Sequence, residues 1–415
     1  MPHPTHSIIG EYSGSLRGKC VVLGVTASVA LYRSLDTTRW LLRRGARVRV
    51  VMTKPAAELV SPRMFHWATA EEPIVDLTGR VEHIELASEC DSMLVAPATL
   101  STMSKIAYGI TDNPVALTAV SMRSEGKLVA IAPAMHSNMA SSLQYEQAIA
   151  ALARQGYVVI PPHFEAGVAK YRDPKLLARL MASLTLRGRD LEGLKVLVTA
   201  GPTREWLDPV RFISNPSSGL MGLEAALEAY ARGAEVKLIH GPMSIDVPSL
   251  IESTAVETTE EMAAAVREAT EKTPFDVIVA AAAPADFRPA SRRDSKIRSG
   301  APLELKLEPT PKVIGSIARR PRVLVAFAAE TAAGLGELES LARAKMEKYG
   351  ADVMVANIVG LPGLGFSAER EKGVIMAKWG FKRSFESMLK EDIARLIFDL
   401  VLEALRGDGV GESHT

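Results

Sequence analysis

Short apolar runs recur along this chain, each followed by a longer stretch with helical spacing, and that alternation restricts the fold more than any other feature. In the first half the runs are KCVVLGV (19–25), ARVRVVM (46–52), SMLVAPA (92–98), KLVAIAP (127–133) and YVVIP (157–161), with LYRSLDTTRWLLRRG and SSLQYEQAIAALARQG among the intervening helical segments. The second half carries LKVLVTA (194–200), AEVKLIHG (234–241), FDVIVAAAA (275–283), RVLVAFAAE (322–330) and ADVMVAN (351–357). GVIMAKWGFKRSFES then reads as a late hairpin before a final helix near 388–405. Such alternation predicts an α/β fold built on doubly wound parallel sheets.

A chain of 415 residues exceeds one ordinary core. LRGRDLEG (186–193) interrupts the apolar pattern with charge and glycine, so it is the expected linker. The expected organisation is a polar tail over 1–17, one domain over 18–188, a second over 189–407, and a tail over 408–415. The closing GDGVGESHT is expected to be disordered. No internal repeat is evident.

With 49 basic and 48 acidic side chains, the chain lacks the field that holds nucleic acid, and small ligands are the better expectation. No run approaches the roughly 18–20 apolar residues of a membrane span, and the N-terminal residues have no apolar core of signal-peptide length. Cys20 and Cys90 each lie in or beside an apolar run. They read as separate small buried hydrophobes in a reducing cytoplasm.

The segment AGPTREWLDPVRFISNPSSGLMG (200–222) lies where a strand meets its helix, the edge at which parallel sheets bind ligands. Ser217, Ser218 and Gly219 open that helix, where free N–H groups and the dipole favour a phosphate. Neither half carries G-x-G-x-x-G after its first strand: the two turns read GVTASVA and TAGPTRE.

As a whole, this segment resembles the start of the phosphopantothenate–cysteine ligase domain of bifunctional coenzyme A biosynthesis proteins. The other half of those proteins is a flavin-dependent phosphopantothenoylcysteine decarboxylase. The resemblance implies a C-terminal Rossmann-like α/β ligase domain using 4′-phosphopantothenate, cysteine and CTP with Mg2+. CTP would convert a poorly electrophilic carboxylate into an acyl-cytidylate, from which the cysteine amine displaces CMP. On this match Asn215 contacts the acyl intermediate, its amide stabilising developing charge on the carbonyl oxygen. Ala280, Ala281, Ala282 and Asp286 in VAAAAPADFRPA match the nucleotide-binding strand end, and Lys296 in RRDSKIRSG matches a phosphate-binding lysine on a mobile loop. PTPKVIG (309–315), AFAAET (326–331) and LARAKMEKYGADVMVAN follow in order, implying nucleotide contacts by Pro311, Lys312, Val313, Ile314, Phe327 and Lys345. A second family lysine falls on Tyr349, with Lys348 beside it. No residue cluster specifies a metal cage, so the metal ligands stay unassigned.

Four islands in the first half resemble the decarboxylase family: VVLGVTASVALYR, VVMTKPA, VEHIEL with LVAPATLSTMSKIAYGITDN, and APAMHSNM. They imply a flavodoxin-like, Rossmann-like domain that binds FMN. Thr26, Ala27 and Ser28 would meet the flavin phosphate, with Thr53, Ala98, Thr99 and Ser101 lining the rest. His83 matches the active-site histidine, which can orient or deprotonate a substrate near neutral pH. A flavin is required because the cysteine-derived carboxylate has no electron sink for CO2 loss until the carbon bearing sulfur is oxidised.

Two departures stand out. The family's Pro-Ala-Met-Asn reads Pro133-Ala134-Met135-His136, and the flap stretch PPHFEAGVAKYRDP (161–174) has no cysteine and instead offers Lys170. Both features resemble archaeal members of the family. The resemblance further implies homo-oligomers, with trimeric decarboxylase and dimeric ligase domains that a dodecamer satisfies. Two other readings stay open: an active ligase whose flavin domain is a scaffold, and a non-catalytic flavoprotein regulator.

Overall fold

The computed structural model describes residues 3–165, 167–300, 302–360 and 368–407. They fall into two compact units that divide between Gly188 and Arg189. The closing segment expected to be disordered lies outside the described residues beyond Gly407.

Unit 1 runs β1 (Cys20–Val25), α1 (Arg33–Arg43), β2 (Arg47–Met52), α2 (Lys54–Leu59), α3 (Pro62–Thr69), α4 (Glu82–Glu89) and β3 (Ser92–Ala98). It continues with α5 (Leu100–Ala107), α6 (Pro114–Ser124), β4 (Leu128–Pro133), α7 (Ser137–Ala140), α8 (Leu143–Arg154) and β5 (Val158–Val159). The hairpin β6 (His163–Glu165) and β7 (Val168–Lys170) precedes α9 (Pro174–Arg187). The five-stranded sheet has the order β2-β1-β3-β4-β5, and every pairing is parallel. Helices cover both faces, which is why β1 and β3 are buried at every residue. Only two residues of the run at 157–161 are strand, and the flap sequence after it forms a separate antiparallel ribbon.

Two expectations are corrected here. Residues 3–17 are packed rather than a tail: Gly10 N donates to Leu42 O (2.9 Å) and Leu16 N to Arg44 O (2.8 Å). Leu16 is fully buried, and the Tyr12 ring stands edge-on to Trp40 at 5.5 Å. The segment thus satisfies carbonyls that the end of α1 leaves without helical partners, a role that a local hydropathy pattern does not display. Cys20 and Cys90 are joined by a disulfide instead of standing apart. The Asp91 carboxylate accepts the Cys20 amide at 2.8 Å, and the two cysteine Cα atoms lie 4.5 Å apart.

Unit 2 begins with β8 (Lys195–Ala200), the short strands β9 (Glu205–Trp206) and β10 (Phe212–Ile213), α10 (Leu220–Ala231), β11 (Glu235–His240) and β12 (Glu252–Ala255). Next come α11 (Thr259–Lys272), β13 (Val277–Ala280), the ribbon β14 (Phe287–Pro289) and β15 (Leu307–Pro309), and β16 (Val323–Glu330). It closes with α12 (Leu335–Tyr349), β17 (Val353–Ile358), β18 (Arg370–Ala377), β19 (Lys382–Leu389) and α13 (Lys390–Gly407). The sheet order is β12-β11-β8-β13-β16-β17-β18-β19. It is parallel up to β17, and β18 and β19 add the antiparallel hairpin. Helix α13 buries Ile393, Ile397, Phe398 and Val401, the i, i+4 stripe that an amphipathic helix presents to a core. Among the described residues, no helix is long and apolar enough to cross a membrane.

Candidate functional sites

In unit 1 the chain reverses its winding direction between β1 and β3, and a cavity of about 1200 Å³ opens beyond the ends of these strands. Ala27, Ser28, Thr53, Thr99 and Ser101 line it, as do His136 and Lys170. Thr53 and Thr99 cap α2 and α5 by accepting Ala56 N and Thr102 N, each at 3.4 Å. Ser28 begins a short 3-10 turn without a side-chain cap, so its hydroxyl remains for a ligand.

Thr26 and Ala98 are not among the lining residues. Thr26 Oγ1 donates to Pro97 O (2.7 Å) and accepts Thr99 N (3.1 Å), joining the ends of β1 and β3 while buried. Thr26 is therefore part of the frame that holds Thr99. His83 also lies outside the lining: it sits on the first turn of α4, and its buried Nδ1 has no partner.

His136 follows β4, and its ring nitrogen Nδ1 meets Ser137 Oγ at 3.3 Å. Met135 exchanges backbone hydrogen bonds with Ala169 at 2.9 and 3.1 Å, which stitches the flap ribbon to the strand end that carries His136. On that ribbon Lys170 Nζ pairs with Glu165 at 2.7 Å. Sequence reasoning missed Arg33, Asn113 and Tyr171, which also line the cavity. Asn113 had a legible signal, an Asn-Pro helix start, and its Oδ1 accepts Ala116 N at 3.0 Å. Tyr171 had none: its hydroxyl is hydrogen-bonded to Thr37 at 2.8 Å, and burial pushes its pKa up to about 12.

A hydroxyl-rich cavity with apolar walls at a strand-order reversal suits a flavin mononucleotide. Ser28, Thr53, Thr99 and Ser101 fit the polar part of such a ligand.

In unit 2 two adjoining cavities open beyond the ends of β8, β13 and β16. The larger, about 350 Å³, is lined by Asn215, Ser217, Gly219, Ala281, Ala282, Asp286, Phe327 and Lys345. The smaller, about 140 Å³, is lined by Ala280, Lys312, Val313 and Ile314, and it shares Ala282, Asp286 and Phe327 with the first. Ser218, Lys296 and Pro311 are absent from both linings. Lys296 is exposed on the excursion between β14 and β15.

Backbone geometry explains the composition of this edge. Gly219 takes φ 82° at the start of α10, a left-handed conformation that favours glycine. A Cβ on Gly222 would stand 2.5 Å from Ala200 Cβ, so only glycine lets α10 lie this close to β8. Asn215 Nδ2 donates to Ala283 O (3.1 Å) and Pro284 O (3.0 Å). Donation to an acyl oxygen, expected from the sequence, therefore requires exchanging one of these bonds for the substrate, whereas Oδ1 is the amide's acceptor. Lys312 pairs with Asp286 and Lys345 with Glu330, so both lysines are held at the cavity edge by carboxylates. Among the described residues, no group of three or more His, Cys, Asp or Glu side chains is placed to hold a metal. Tyr349 lines the smaller cavity at the position where the resemblance placed a lysine, and Lys348 does not.

The comparisons with known proteins agree in both units. Residues 9–185 match the Flavoprotein family model, and residues 191–405 match the DNA/pantothenate metabolism flavoprotein C-terminal domain. A coenzyme A biosynthesis bifunctional protein CoaBC of Thermococcus kodakarensis is 40% identical over 413 residues, covering 98% of this chain and 100% of that protein. Its Bacillus subtilis counterpart is 34% identical over 398 residues, 91% of this chain and 95% of that protein. A solved C-terminal domain of a coenzyme A biosynthesis bifunctional protein CoaBC covers 53% of this chain and 99% of its own, at 31% identity and a TM-score of 0.44. Identity of this extent, spanning both units in order, means that the chain belongs to the family of coenzyme A biosynthesis bifunctional proteins CoaBC.

Proposed function

We propose that the unit 2 cavities join cysteine to 4′-phosphopantothenate with CTP and Mg2+, through an acyl-cytidylate, and that the unit 1 cavity then decarboxylates the product to 4′-phosphopantetheine. The chain is a bifunctional coenzyme A biosynthesis enzyme with ligase and decarboxylase halves and an FMN cofactor. The observation that carries the ligase assignment is the meeting of two cavities at Asp286 and Phe327. One has the size for a base, with apolar walls from Val313, Ile314 and Phe327 beside the polar Asp286 and Lys312, and the other gathers Asn215, Ser217 and Lys345 where an acyl phosphate would form. Alanines at 280–282 let a nucleotide approach the backbone closely. Lys296, exposed on its excursion, closes over the phosphates as a mobile point charge. Magnesium arrives with the triphosphate and needs few protein ligands.

In unit 1, the flavin supplies the electron acceptor that makes carbon–carbon cleavage next to the thiol-bearing carbon accessible. Ser28, Thr53, Thr99 and Ser101 orient it, and His136 donates a hydrogen bond to the substrate carboxylate in place of an asparagine amide. Lys170, carried on the flap ribbon, supplies positive charge to the substrate.

His83 takes part through assembly. Val81 and Ile84 flank it with large exposed apolar surface, and its own Nδ1 is buried without a partner. A second copy seated on this face would bring His83 to a neighbouring cavity, in keeping with a trimer-based oligomer. The test is incubation of the full chain with phosphopantothenate, cysteine, CTP and Mg2+, followed by mass spectrometry. Conversion to 4′-phosphopantetheine is expected. Arrest at phosphopantothenoylcysteine would reduce unit 1 to a scaffold, and absence of both products would overturn the reading.

A further inference from the structure

The unit 2 cavity that holds Asn215 also contains charges that the nucleotide and acyl assignments do not use. Glu371 on β18 and Lys390 at the start of α13 both line it, together with Asn357 on β17. The two charged side chains are 6% and 2% exposed and stand 3.4 Å apart. Glu371 Oε1 faces Lys390 Nζ, whereas Glu371 Oε2 is buried with no hydrogen-bond partner. A buried carboxylate oxygen without a donor is costly, and a ligand that brings a donor recovers that cost.

A carboxylate and an ammonium side by side are together neutral, as is an α-amino acid at neutral pH. We propose that Glu371 and Lys390 form the subsite for the amino-acid substrate, with Glu371 Oε2 taking the α-ammonium and Lys390 Nζ facing the α-carboxylate. This rests on the ligase reading, in which the amine must reach an activated carbonyl held beside Asn215 in the same cavity. Glu371 then accepts one proton from the ammonium. The freed lone pair forms the C–N bond, the acyl C–O bond breaks with its electrons leaving on CMP, and the second nitrogen proton departs with the phosphate to solvent. Burial pushes the Glu371 carboxyl above its ordinary range while the charge and hydrogen bond of Lys390 oppose the shift, and a rise is the direction that strengthens a proton acceptor.

The experiment separates the half-reactions in the full-length chain. Pyrophosphate release from CTP and phosphopantothenate is followed without cysteine, and amide formation is then followed against cysteine concentration. Glu371→Gln keeps the first step and raises the KM for cysteine about 10- to 100-fold, the loss of one charge-assisted hydrogen bond. Glu371→Asp, which retains the charge beside Lys390, recovers part of that loss. An unchanged KM for cysteine in Glu371→Gln would overturn the subsite. Equal loss of both steps in both variants, with a lowered melting temperature, would also overturn it and assign the pair to stability alone. If the wild-type chain releases no pyrophosphate, the ligase reading falls and this subsite with it.

Discussion

Asp208 Oδ2 accepts the backbone N–H of Ile297 at 3.0 Å, tying a side chain with no exposed surface to the residue that follows Lys296. The other oxygen of Asp208 accepts Val210 N (2.7 Å) and Arg211 N (2.9 Å). Arg293 N donates to Leu207 O at 2.9 Å, so the 290–306 excursion is fastened to the turn between β9 and β10 on both sides of Lys296. Lys296 is free to move only as far as these fastenings permit.

Asp208→Asn weakens this fastening, because a neutral amide accepts more weakly and brings an unwanted donor. Hydrogen exchange over residues 292–299 is expected to quicken, with about a tenfold fall in ligase kcat as Lys296 is positioned less well. Unchanged exchange over the excursion would count against the tether.

The same carboxylate gives a pH dependence of known sign. The Ile297 amide first, then those of Val210 and Arg211, hold the Asp208 carboxyl below its ordinary range against the opposing effect of burial. A depressed folded-state pKa means that the tether is intact above the ordinary carboxylate range and is lost as pH falls through the lowered value. Arg292 lies over the Trp206 ring at 5.9 Å, so acid titration of tryptophan emission reports the release. Asp208→Asn is expected to lack that acid transition.

Thr26 and Ser28 are expected to behave differently although they share one turn. Thr26→Val strands Pro97 O and Thr99 N and lowers the stability of unit 1 by about 1–3 kcal/mol, seen by thermal unfolding. Ser28→Ala leaves stability within about 0.5 kcal/mol and lowers flavin affinity, seen in the flavin absorbance retained after dialysis. Equal melting temperatures for the two variants would remove the distinction between frame and ligand contact.

Gly222→Ala forces a Cβ to within 2.5 Å of Ala200 Cβ and 2.9 Å of Thr199 O. Neither neighbour is the flexible end of a side chain, so α10 must move away from β8. The expected cost is about 1–3 kcal/mol in the unfolding of unit 2, together with weaker nucleotide binding as Gly219 shifts.

His83→Ala is expected to cut decarboxylation by about 100-fold or more while CTP consumption is unchanged, so that phosphopantothenoylcysteine accumulates in the mass spectrum. Loss of ligation in a folded, flavin-loaded variant would contradict the division of labour between the units.

The alternation of apolar runs and helical stretches was enough to place nearly every strand of both large sheets, because buried parallel strands must be apolar and short. The order of the motifs likewise carried the family, and with it the pair of activities. Gly219 was legible at the helix start, where its φ of 82° favours glycine, whereas the need for Gly222 appears only when α10 packs on Ala200.

Tertiary structure decided which of these residues line a cavity. Thr26 and Ser28 look equivalent in GVTASVA, yet one hydroxyl is consumed between two strand ends and the other is left uncapped. Asn215 reads as a free amide until the Ala283 and Pro284 carbonyls arrive to claim its donors. Cys20 and Cys90 read as isolated until β1 and the end of α4 meet. Glu371 and Lys390 carry no local signal and become a buried pair in the Asn215 cavity only when β18 and α13 close on it. Local spacing records which face of an element is apolar, whereas hydrogen-bond commitment and burial of charge depend on partners that are distant in sequence and adjacent only after folding.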